Sequence, residues 1–222
     1  LTMLTPENFS GTVVVWIDAA GRSHLFGENG EPTAPVRKLL EAGSAVVAAD
    51  VLLTGEQKPA EGDSDSLPVD GQYHGFTFCY NRPLLSSRVR DILLTVGAVR
   101  GYLPGTQTVH LAGTGKAGPW VMLARTLAGD AVSQTVADAN GFSFGSIEST
   151  SDAMFLPGAL KYGGLGGLTA AAVPAALTIA GTSEVPQDEL APLNQVYQTA
   201  GAKLNLIDGP LTADQVAELL LK

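Results

Sequence analysis

The sequence predicts an α/β protein, a three-layer α/β/α sandwich built on a mostly parallel sheet of six strands. Two observations carry this. Short apolar, β-branched runs alternate along the chain with segments of helical periodicity, the pattern of strands joined by crossovers. The runs are also apolar at nearly every position, which suits strands covered on both faces. No long-period repeat and no domain linker interrupts the pattern, so residues 1–222 read as a single domain.

The first strand is the run from Gly11 to Ile17, ending at Asp18. A short helix follows over Ala34–Ala42, with Pro35 in its first turn and Gly43 after its end. Ala45–Ala49 is the second strand, closed by Asp50. A polar connection over 52–75 carries Glu61, Asp63 and Asp65, which read as solvated charges. Residues 82–99 form the clearest helix. Leu85, Val89, Ile92, Leu93, Val96 and Val99 share one face, and Arg88, Arg90, Asp91 and Thr95 fall elsewhere. Asn81 is its candidate cap, with Pro83 in the first turn. Strand 107–112, a glycine turn and helix 119–128 come next, then strand 131–137, which ends at Asp138. Residues 139–173 are irregular, with short helices. Strand 176–180, helix 187–200, strand 203–207 and helix 212–221 complete the chain. Thr212 and Gln215 fit a capping box, and Leu211 with Val216 fits the accompanying hydrophobic staple.

Composition excludes several classes. The chain is 45% hydrophobic and 16% charged, enough for one substantial core. Its net charge of −9 argues against nucleic acid, whose affinity comes largely from Lys and Arg on phosphates. No apolar run reaches the roughly 18 residues of a membrane span. Cys79 is the only cysteine, so no internal disulfide and no cysteine metal cluster can form. It lies in the apolar run Phe76–Tyr80 and is expected to be buried; a lone cysteine does not identify the compartment. Residue 1 is leucine and no secretory signal is visible, so the chain is expected to be a processed product or a piece of a longer protein.

The stretch Leu111–Trp120, LAGTGKAGPW, bends from strand to helix, and such turns often hold chemistry. Three readings compete. Gly113, Gly115 and Gly118 spell G-x-G-x-x-G, and Asp138 lies near the end of the next strand, where a dinucleotide-binding module places its ribose-binding acid. Two strands precede the motif, however, and that fingerprint normally opens the fold. A nucleophile elbow, G-x-S-x-G, fits the backbone, but Gly115 occupies the nucleophile position and has no side chain to attack with. The start of a helix can also bind an anion, with Lys116 adding a cation. Against all three stands a structural role, in which the glycines only let the turn bend and the helix pack close.

An elbow hydrolase also needs a late histidine. The chain holds His24, His74 and His110 only, and none follows residue 110. Three scattered histidines make no metal site by spacing. After the fifth strand, Glu184 stands where a triad acid would lie; after the sixth, Leu211 serves as a helix clamp. Neither performs proton chemistry without an imidazole.

The stretches VVVWIDAAGRSHLF, AVVAADVLLTGE, YNRPLLSSRVRDILLTVGAVRG, VHLAGTGKAGPWVMLAR and FLPGALKYG resemble the second, hydrolase-like half of two-part proteins of the α/β-hydrolase superfamily, related to the acetyl xylan esterases and dienelactone hydrolases. The resemblance covers roughly 11–222. It implies a strand order of 2-1-3-4-5-6, a core lacking the first antiparallel strands of the full fold, and no cofactor or metal. It places Asp18, Ala19, Gly113, Gly115 and Lys116 around the crevice where the sheet reverses direction, with the Lys116 N–H as the oxyanion donor. An upstream esterase domain would be the partner and a carbohydrate ester the ligand. The location would be extracellular or periplasmic if the parent is a secreted esterase. The departures are Gly115 for the nucleophile, Leu211 for the histidine and Glu184 for the usual aspartate, so a catalytically degenerate domain is expected. The alternative is an active ester hydrolase with displaced residues, Ser146, Ser149, Ser151 or Ser183 acting with His74 or His24.

Overall fold

The computed structural model describes residues 1–59, 69 and 72–222. Among these residues the sheet has seven strands: β1 (Thr2–Leu4), β2 (Thr12–Asp18), β3 (Ala45–Ala48), β4 (Thr108–Thr114), β5 (Gln134–Asp138), β6 (Ala176–Ala180) and β7 (Leu204–Leu206). They lie in the order β1-β3-β2-β4-β5-β6-β7. Every neighbouring pair is parallel except β1 with β3. The six expected strands are β2 to β7, in the expected order. The antiparallel strand expected to be missing is present: β1 pairs Met3 with Val47 on the outer edge of β3. Three half-buried residues are too few to show an alternating pattern in the sequence.

Seven α-helices among the described residues accompany the sheet: α1 (Ala34–Glu41), α2 (His74–Tyr80), α3 (Leu84–Tyr102), α4 (Gly118–Ala128), α5 (Gly164–Thr169), α6 (Gln187–Ala200) and α7 (Ala213–Leu220). Two cores form because successive side chains of a strand point to opposite faces. Val13, Val15 and Ile17 of β2 join Val89, Ile92 and Val96 of α3, Val121 and Met122 of α4, and Leu193 of α6. Val14 and Trp16 join Leu39 of α1 and Val216 and Leu220 of α7 on the other face. Burying one such side chain stabilises by about 2 kcal/mol, and all five residues from Val13 to Ile17 are apolar and buried. The capping box forms as expected, with Thr212 accepting from the Gln215 N–H, and Leu211 packs on the cluster that holds Val216.

Several expectations are corrected. Strand β4 runs to Thr114, so Gly113 belongs to the strand and the turn begins at Gly115. The segment Phe76–Tyr80 is helical and lies in α2, none of whose residues is buried, so Cys79 is exposed. Asn81 is the C-terminal cap residue of α2, with its side chain donating to the Thr77 carbonyl; Pro83 precedes α3 instead. Arg88 and Thr95, placed off the apolar face of α3, are both buried. Thr95 satisfies its hydroxyl on the Asp91 carbonyl one turn back. The Arg88 guanidinium lies 4.3 Å above the Trp120 ring and its Nε donates to the Leu52 carbonyl. Glu61, Asp63 and Asp65 fall outside the described residues.

Candidate functional site

The three glycines of the turn have three different jobs. A Cβ on Gly113 would sit 2.7 Å from the Val121 side chain, so this glycine lets α4 fold back against β4. A Cβ on Gly118 would lie 1.6 Å from the Asp138 carbonyl oxygen, so helix and strand can meet only at a glycine there. Gly115 is different. Its φ is +51°, a conformation side chains rarely adopt, and a Cβ there would have no neighbour within 4 Å. The chain therefore keeps a sharp strand-to-helix bend that aims position 115 into open space, and puts no side chain on it.

Below the bend, β2 and β4 are tied side by side. Asp18 pairs with Thr114 across the strands. The Thr114 hydroxyl donates to the Asp18 carboxylate at 2.5 Å and accepts from the Trp16 indole N–H at 3.2 Å. The other Asp18 oxygen accepts from the Ala20 N–H at 2.8 Å. Asp18 and Gly113, expected to line the crevice, thus hold the strand ends together. Ala19 and Lys116 do line it, and Gly115, also expected there, adjoins Lys116 without being among the lining residues. The sheet reverses direction between β2 and β4, the place where open α/β sheets gather ligands.

A cavity of about 740 Å³ opens there. Trp120, Pro119, Phe142 and Met154 supply apolar wall; Lys58, Arg88, Lys116 and Asp152 supply charge; Asn140 and Ser151 supply neutral polar groups. Sequence reasoning missed Arg88 and Trp120. The signal was present, since an arginine one position before Val89 sits at the margin of the apolar face of α3, where its stem can be buried beneath a facing aromatic. Asn140, Phe142 and Met154 come from the irregular stretch after β5, where no periodicity marks direction.

The segments after β6 and β7, where a triad acid and histidine were expected, lie side by side. The turn after β6 is bonded to the segment after β7: Gly181 N–H to the Gly209 carbonyl, Thr182 N–H to Ile207 and Ser183 N–H to Asp208. This brings the turn of Glu184 beside the approach to Leu211. Glu184 is exposed and Leu211 is half-buried against the α7 core.

The imidazoles are elsewhere. His24 lies over Trp16, with ring centroids 5.7 Å apart, and its Nδ1 meets the Gly21 carbonyl at 2.7 Å. Burial pushes its pKa below the ordinary histidine value. His110 sits within β4, and burial lowers its pKa as well. His74 hydrogen-bonds Thr150. That contact joins α2 to the stretch after β5, beside a smaller cavity of about 230 Å³ lined by Phe78, Thr150 and Ser151. Among the candidate serines, Ser146 donates to the Ser143 carbonyl, Ser149 accepts from the Ser151 N–H, and Ser183 lies exposed in a turn. None meets an imidazole among the described residues. Asp138 is 7% exposed; its Oδ1 accepts from the Asn140 N–H at 2.8 Å and packs on Gly181. Asp138 is thus engaged with its own turn, a structural role that stands against the ribose-binding one. Among the described residues no three His, Cys, Asp or Glu side chains are grouped to hold a metal.

No family model matches the chain, and no curated protein matches it in sequence. Solved structures do. One from Bacteroides fragilis, assigned as an acetyl xylan esterase, superposes with a TM-score of 0.64 at 11% identity, over 92% of this chain and 61% of that one. A glucuronoyl esterase from Caldicellulosiruptor kristjansonii gives 0.61 at 15% identity, over 99% and 70%. A dienelactone hydrolase from Anabaena variabilis gives 0.51 at 15% identity, over 99% and 87%. The chain thus spans about three-fifths of the first of these proteins. A mostly parallel sheet between helical layers, with a glycine-tight bend from its fourth strand into a helix, is the α/β-hydrolase fold.

Proposed function

We propose that this chain is a catalytically degenerate, carbohydrate-esterase-like domain that binds without cleaving and supports an active esterase domain upstream in a longer protein. One observation carries the reading. Position 115 occupies the exposed point of the bend with space around it, and it is glycine. The supporting fact is that no histidine follows residue 110, in the part of the chain where a hydrolase of this fold places its base. The Lys116 N–H is then the remaining oxyanion donor. A donor alone can hold a carbonyl but leaves the barrier to attack nearly untouched. The ligand would be a carbohydrate ester, as the names of the similar esterases suggest. The purified chain is expected to hydrolyse 4-nitrophenyl acetate no faster than buffer. Turnover above that rate overturns the reading, and turnover that survives Gly115→Val locates the chemistry away from the bend.

A second reading, an ester hydrolase with displaced residues, is favoured by one contact: His74 with Thr150, between Ser149 and Ser151. Treatment with a serine-reactive organophosphonate and peptide mapping separates the two. An adduct on residues 149–151 supports displaced catalysis; an unlabelled chain leaves the degenerate domain.

A further inference from the structure

We infer that the cavity over the Gly115 turn is a receptor for an organic carboxylate with a ring-sized apolar body, in preference to the corresponding neutral ester. This rests on the reading of the chain as a non-cleaving domain. Among the described residues, the wall of the cavity carries three cationic side chains, Lys58, Arg88 and Lys116, and one carboxylate, Asp152. These described residues form a cationic wall in a chain of net charge −9. Lys58 and Arg88 have partners of their own. Lys116 is exposed, lines the cavity and has no hydrogen-bond or ion-pair partner among the described residues. It is the cation placed to take up a ligand's charge. The N–H groups of Gly115, Lys116 and Ala117 open the helical turn at the same point and so have no carbonyl partner within it.

The bare Gly115 leaves room for a ligand oxygen to descend to these donors. Trp120, Phe142 and Met154 offer the apolar wall against which a ring would lie.

The preference for an acid follows from what these donors stabilise. N–H groups and an ammonium favour an oxygen in proportion to the negative charge on it. An ester carbonyl acquires that charge only when a nucleophile attacks, and position 115 has none. A carboxylate carries it in the ground state. Donors that would lower a barrier in a working hydrolase therefore select, without a nucleophile, the anion over the ester.

The test is calorimetric titration of the whole chain with benzoate, methyl benzoate and inorganic phosphate near neutral pH. Benzoate is expected to bind roughly tenfold more tightly than methyl benzoate, and to weaken as salt is raised. Lys116→Gln, at an exposed position that does not threaten folding, is expected to remove most of that preference while circular dichroism stays unchanged. Equal affinity for ester and acid, or no binding of benzoate at about 10 mM, overturns the inference. Phosphate binding as tightly as benzoate overturns it too, in favour of an unselective anion site. Release of methanol from methyl benzoate is a separate result: it defeats the non-cleaving reading on which the inference stands.

Discussion

Residue 115, at the bend from β4 into the helix, is a glycine. Replacing it tests how much of a hydrolase remains. A serine at φ +51° would cost about 1 kcal/mol in backbone strain, and its hydroxyl would enter open space. It would find no imidazole there, because His24 is committed to Trp16 and the Gly21 carbonyl, His74 to Thr150, and His110 to the strand. A hydroxyl without a base is a poor nucleophile near neutral pH. Gly115→Ser is therefore expected to fold, to unfold at slightly lower urea, and to show neither ester turnover nor organophosphonate labelling at position 115; labelling there would reveal a base that the geometry does not supply. The glycine at the bend and the lack of a histidine after residue 110, two features of this site, were legible in the sequence. The walls of the site were not. Arg88 and Trp120 meet across two helices far apart in sequence, and local periodicity carries no information about such a meeting. Asp18 and Gly113 were misplaced for a related reason: residues at strand ends can face the crevice or clamp the neighbouring strand, and the hydroxyl of Thr114 decided for the clamp.

Among elements, β5 and α4 meet with no room for a side chain at Gly118, and glycine chemistry predicts opposite outcomes at two helix positions. Gly118 opens α4, and a methyl group there would have to displace the Asp138 backbone. Backbone cannot rotate away as a long side chain can, so Gly118→Ala is expected to lose about 3 kcal/mol. Gly101 lies within α3, and a methyl group added to it would meet nothing within 4 Å. There Gly101→Ala is expected to add about 0.5–1 kcal/mol by favouring the helix and narrowing the unfolded ensemble. Urea denaturation of the two variants measures both; a neutral Gly118→Ala would mean that α4 slides freely on the sheet. The strands β2 to β7 and most helices were readable because buried parallel strands are apolar at every position and amphipathic helices repeat at 3.6 residues. Two short elements escaped. β1 is held by its partner β3 rather than by its own pattern. The run Phe76–Tyr80 has the residues of a strand, yet it forms an exposed helical turn where no neighbouring strand pairs with it.

For the molecule as a whole, two effects oppose each other as the solution is acidified. The chain carries nine excess negative charges near neutrality, and lowering that charge relieves self-repulsion and favours the folded state. Against this, His24 and His110 are held neutral by burial, each with its pKa below the ordinary value of 6.5. Between that value and the lowered one, the unfolded chain binds protons that the folded chain refuses, so stability must fall as pH falls, and level off once the folded-state pKa values are passed. The first effect is weak between about pH 7.5 and 5.5, because Asp and Glu titrate mainly near 4 and the net charge there changes chiefly through the histidines themselves. The second acts in that window, where the unfolded chain's histidines take up protons. The melting temperature is therefore expected to be lower at about pH 5.5 than at 7.5, at moderate salt that screens the surface charges. His24→Asn and His110→Asn, which remove the titrating groups, should each flatten the dependence while lowering the melting temperature at both pH values. A melting temperature that rises on acidification, or a slope unchanged in the double variant, would show that the surface charge and not the two buried rings sets the response.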